Sequence, residues 1–88
     1  MEGVSFKQAN VALSPPHGMS EEECRSLMVW RGQRSFEGMR DARVCVVSCF
    51  KLSAEELSEV QRTGRVWLTV LGPTMFPVVL EGTSPFGP

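Results

Sequence analysis

The most reactive side chains in this sequence are three thiols and one imidazole: Cys24, Cys45, Cys49 and His17. Together they would form a Cys₃His donor set for zinc, but the spacing opposes it. Three residues separate Cys45 from Cys49, where a zinc knuckle uses two. Both lie in RVCVVSCFKL, residues 43–52, the densest run of β-formers in the chain. Four residues of strand span about 13 Å at the usual rise, too far for one ion to bridge. The same span forbids a Cys45–Cys49 disulfide, which needs Cα atoms within ~7 Å. Pairing of Cys24 with either thiol stays geometrically open. Free cysteine is among the most buried residue types. The plainer reading is three reduced thiols without metal, with Cys45 and Cys49 on one strand face and at least one of them buried. A Cys–His dyad through His17 would need a third, orienting group, and no spacing identifies one. RGQRSFEG does not match a phosphate-binding P-loop. The carboxylates cluster at helix starts, where capping accounts for them. The expectation is a non-catalytic protein with no cofactor and no catalytic residues.

Trp30, Arg31, Arg34, Phe36, Arg40 and Arg43 make the one basic-aromatic cluster. Arginine forks beside an aromatic platform suit a nucleotide or a single strand. Glu37 and Asp41 sit in the same stretch, however, and a solvated loop with internal ion pairs is the ordinary reading of such charge. A net charge of −1 supplies no long-range field for nucleic acid. Seven of the nine basic residues are Arg, with Lys7 and Lys51 the exceptions.

Several elements must position these residues. Residues 4–13 alternate loosely and predict a strand, which Pro15, Pro16 and Gly18 end. Ser20 and Glu23 form a capping box that opens a short helix. The acidic run Glu21–Glu23 fits a helix start better than a cation site. LMVWR then reads as extended. Residues 31–42 show two glycines and no clean period, which predicts a loop or irregular hairpin. Residues 43–52 are apolar at both parities, as in a central strand covered on both sides.

Residues 53–63 carry the clearest helix signal. Ser53 and Glu56 form a second capping box, Leu52 and Leu57 a hydrophobic staple, and Gly64 a C-cap. Ala54, Leu57 and Val60 share one face. VWLTVL, the GPTM turn and FPVVLE then read as an antiparallel hairpin over 66–81. Pro77 places its second strand at an edge, and Trp67 is expected under a helix or loop.

Eighty-eight residues allow one domain with a marginal core. The expected fold is α+β: an antiparallel sheet of four to five strands packed on one main helix, with a short N-terminal helix. The domain spans residues 1–82, and 83–88 form a Pro/Gly-rich tail. No apolar run reaches the ~20 residues of a membrane helix, and MEGVSFKQAN is no signal peptide. With the odd cysteine count, this predicts a cytoplasmic protein without membrane contact.

The segments PPHGMSEEEC, SCFKLSAEELSEVQRTGRVWLTVLG and FPVVL, in that order, resemble a family of small accessory proteins encoded by tailed bacteriophages and prophages. The pattern covers most of residues 10–80. Phe50 stands where the family pattern has Trp, and Phe76-Pro77 where it has Pro-Pro. The family has no assigned activity, so the resemblance transfers no functional residues. It implies the cytoplasm of an infected or lysogenic bacterium, and a role in counter-defence is one such context. The expected function is an interaction protein that binds a host bacterial protein or self-associates. The alternative is an oligomer that sequesters a nucleotide-type small molecule through the Arg-aromatic cluster. A small core cannot cover a hairpin and a two-faced strand alone, and uncovered apolar patches mark interfaces. A homo-oligomer is therefore expected, with Trp67, Phe76 and Val78 at the contact.

Overall fold

The computed structural model describes residues 1–14, 18, 27–74 and 77–87. Four strands and one helix follow in order: β1 (Glu2–Val4), β2 (Val11–Leu13), β3 (Leu27–Arg34), β4 (Arg43–Lys51) and α1 (Ala54–Thr63). The strands make one antiparallel sheet in the order β1-β4-β3-β2. The class is α+β, as the sequence predicts. The expected short N-terminal helix falls outside the described residues, as do His17 and Cys24.

The sheet is built around the β3–β4 hairpin. Its register runs from Val29 opposite Ser48 to Arg34 opposite Arg43. Of the two readings of 31–42, loop or irregular hairpin, the hairpin is the one found, with a shorter connection. Arg31, Gly32, Gln33 and Arg34 are strand residues, and only 35–42 connect. The Met39 N–H donates to the Phe36 carbonyl at 3.0 Å to close that turn.

The single strand expected over 4–13 is two strands on opposite edges. β1 pairs with the far end of β4, Gly3 opposite Phe50, and β2 pairs with β3, Val11 opposite Val29. The chain between them turns at the Ala9 N–H to Phe6 carbonyl bond, 3.1 Å. Asn10 ends this crossing. Its side chain accepts from the Arg31 N–H at 2.8 Å and donates to the Arg31 carbonyl at 3.0 Å. One amide side chain thus stands in for a strand residue. Loose alternation could not reveal that the two ends of this stretch pair with strands far along the chain.

The helix forms as its sequence demands. The Ser53 hydroxyl accepts from the Glu56 N–H at 3.1 Å, and the Glu56 carboxylate accepts from the Ser53 N–H at 2.9 Å. The Met1 ammonium beside this carboxylate and the Ser53 amide hold the Glu56 carboxyl down to about 2. Gly64, at φ 67°, closes the other end with its N–H on the Val60 carbonyl. The expected packing does not follow. The helix buries no residue, Leu57 is 49% exposed, and no described strand packs against α1.

The hairpin expected over 66–81 does not form among the described residues. Among the described residues, 64–74 and 77–81 belong to no strand. Pro73 and Pro77 remove two ladder donors, and an isolated two-stranded hairpin is marginal in water. Trp67, expected under a helix or loop, is 86% exposed. Nor is β4 covered on both faces, since Val44 and Val46 are exposed. Among the described residues Val29 is the one fully buried hydrophobic side chain. The radius of gyration, 14.6 Å, exceeds the ~12 Å of a closed domain of this length. Among the described residues the elements form, but they close no core.

Candidate functional site

Strand alternation decides which of the cluster residues meet. On β3, Trp30, Gly32 and Arg34 share one face, and Arg31 and Gln33 point to the other. Gly32 is needed there. A Cβ at that position would lie 2.4 Å from the Trp30 ring, so the indole lies flat along the strand only because no side chain stands in its way.

The C-terminal segment occupies this face. Phe86 meets Trp30 edge-on, with centroids 5.4 Å apart and planes at 77°. Phe6, from the β1–β2 crossing, stacks on Phe86 at 6.1 Å. Such edge-to-face and offset contacts suit the ring quadrupoles. Arg34 makes a two-pronged contact with Glu81: its two guanidinium nitrogens donate to the two carboxylate oxygens at 2.9 and 3.2 Å. The Arg34 guanidinium carbon also lies 5.0 Å from the centre of the Phe36 ring. The hydrogen bond to Glu81 raises the Arg34 pKa further, and the same bond holds the Glu81 carboxyl below its ordinary value.

The structure therefore brings Phe36 to Arg34, puts Trp30 on the same strand face four residues away, and sets Arg43 opposite Arg34 in the register. It sends Arg31 to the opposite face and leaves Arg40 exposed in the connection. The expected ion pairs with Glu37 and Asp41 do not form among the described residues; Glu81 is the partner of Arg34 instead. A ligand would need the Trp30 ring and the Arg34 fork, and the chain's own Phe86 and Glu81 engage both. Phe6, Glu81 and Phe86 were not legible as site residues. The one signal for Glu81 and Phe86 is spacing: Trp30 and Arg34 lie about 13 Å apart along a strand, a reach that five residues of extended chain from Glu81 to Phe86 can match.

Cys45 and Cys49 do share one face of β4, but neither is buried: Cys45 is half-buried and Cys49 exposed, and both are free thiols. β4 lacks the cover that would bury them. Among the described residues no group of three or more His, Cys, Asp or Glu side chains comes together to hold a metal ion. No described helix is long and apolar enough to cross a membrane.

A second surface lies at the helix. Leu52, Val60, Val66 and Trp67, with Glu55 and Arg65 beside them, line an open groove along α1. Beyond it Leu71, Val78, Val79 and Leu80 are all at least half exposed. Trp67 and Val78, expected at a self-association contact, are thus both uncovered; Phe76 lies outside the described residues. No family model matches the chain, and no curated protein or solved structure matches it either.

Proposed function

We propose that this chain is a non-catalytic interaction protein that acts by self-association or by holding a protein partner. One observation carries the reading: fourteen large hydrophobic side chains are exposed among the described residues, against a single fully buried one. So many exposed large apolar side chains for so small a buried core leave surface that a second chain could cover. A marginal core of this size also gains stability from oligomerisation. The resemblance to phage and prophage accessory proteins suggests the setting, a bacterial cytoplasm, with a host protein as the partner and counter-defence as the role.

Sequestration of a nucleotide-type molecule has less support, because Arg34 and Trp30 are engaged by the chain's own tail. Light scattering across micromolar concentrations tests self-association, with a dimer as the expected species. A strictly monomeric mass at every concentration would remove it. Thermal stabilisation by a member of a nucleotide panel would move the reading to the sequestering alternative.

A further inference from the structure

β4 is nine residues long, yet its two sides are unequally paired. On one side β3 covers Arg43–Ser48. On the other, β1 covers only Cys49, Phe50 and Lys51. The direction of the free groups follows from Asn10, which bonds the N–H and carbonyl of Arg31. Odd residues of β3 therefore face β2, and by alternation even ones face β4. Their register partners on β4 are odd: Trp30 opposite Val47 and Gly32 opposite Cys45. The backbone N–H and carbonyl groups of Val44 and Val46 then point away from β3, along a stretch β1 does not reach.

Proteins usually blunt such an edge with charge, proline or brevity. β1 and β2, at three residues each, are short. The open part of β4 is not blunted: Val44 is 71% and Val46 46% exposed, and Arg43 is its one charge.

The same chain holds a segment with the opposite deficiency. Residues 66–71, VWLTVL, are six β-formers and apolar residues without proline, matching the six residues of open edge in length. Among the described residues they pair with no strand, and Trp67 and Leu71 are 86% and 88% exposed. Within one copy this segment is held elsewhere: Val66 and Trp67 line the groove with Leu52 and Val60 of the helix region.

We propose that residues 66–71 of a second copy add as a strand to the open edge of β4. This deepens the self-association reading and rests on it. Main-chain hydrogen bonds would join the copies, as in other strand-addition complexes, and alternate side chains of the added strand would extend the Val44–Val46 row. Every copy carries one donor and one acceptor, so reciprocal exchange closes a twofold dimer without leaving either unused.

The test uses full-length chains with the native cysteines changed to Ser. One population carries Val46→Cys and the other Leu68→Cys; both are mixed and treated with a short bis-maleimide. A cross-linked pair joining the two populations is expected. A dimer by light scattering that yields no such cross-link overturns the strand-addition proposal and leaves self-association standing. A monomer overturns both. A chain carrying both cysteines that cross-links only within itself overturns the proposal in favour of closure inside one copy. A second variant guards against a folding artefact. Thr69→Pro alters a residue outside every strand, so circular dichroism should be unchanged while dimer dissociation rises at least tenfold. Unchanged dimerisation by Thr69→Pro would also overturn the proposal.

Discussion

Among the described residues, 1–51 build a sheet whose strands each need another strand, whereas 52–80 take their order from chain neighbours or show none. β1 reaches β4 across more than forty residues, Gly3 to Phe50. Asn10 bonds Arg31 twice. Val29, at the middle of this network, is completely buried. In the second region α1 is complete, but every bond that defines it comes from within Ser53–Gly64. The segment after it has β-forming composition and no ladder. The difference separates two sources of order. A capped helix needs only its own ends satisfied, while a strand is stable only where another backbone meets it. Among its described residues the second region therefore holds an intact helix with most of its large apolar side chains still exposed.

The largest effect that probes this contrast falls on the first region. Val29→Ala removes two buried methyl-equivalents and should cost about 2 kcal/mol of sheet stability. Urea unfolding followed by Trp30 fluorescence, in a Trp67→Phe background, reads it. An unchanged midpoint would mean that the sheet is not organised around Val29.

The intermediate effect falls on the second region. Ser53→Ala deletes the hydroxyl that accepts from Glu56 and should cost ~1 kcal/mol. The comparison makes a sharper demand than the magnitude. Because no described strand packs on α1, the helical dichroism should fall while Trp30 fluorescence stays constant. Parallel loss of both signals would show the two regions to be coupled, in a second copy or otherwise.

The same contrast explains what could be read from the sequence. Ser53, Glu56 and Gly64 announce the helix because a cap is a matter of one turn of chain. RVCVVSCFK announces β4 because both parities are apolar. The α+β class follows from these two and LMVWR. By contrast, no local pattern divides residues 4–13 between opposite sheet edges. VWLTVL has the composition of a strand, but composition does not supply a partner, and the hairpin inferred from it does not form among the described residues. At the site, the sequence marks Trp30, Arg34 and Phe36 as a cluster. It does not show that Arg31 turns away, or that Glu81 and Phe86 return to occupy the cluster. Those contacts depend on where the tail is delivered, and that depends on the whole sheet.

The smallest predicted effect concerns a clasp between the C-terminal segment and the sheet, Arg34 to Glu81. The Arg34 hydrogen bond holds the Glu81 carboxyl below its ordinary value in the folded chain. Between that lowered value and the unfolded glutamate value of ~4.3, the unfolded chain binds more protons than the folded one. The clasp therefore contributes its full stabilisation above the unfolded value and loses it as pH falls through the lowered one. Both side chains keep part of their solvent exposure, 22% and 32%, so screening limits the size of the effect. Melting temperatures of the parent and of Glu81→Gln, taken from neutral pH downward, should differ slightly at first and converge below the glutamate range. Added salt should shrink the gap at neutral pH. Curves that stay parallel to the lowest pH would mean that Glu81 holds the tail through something other than its charge. The C-terminal segment would then be held to the sheet by Phe86 against Trp30 and Phe6.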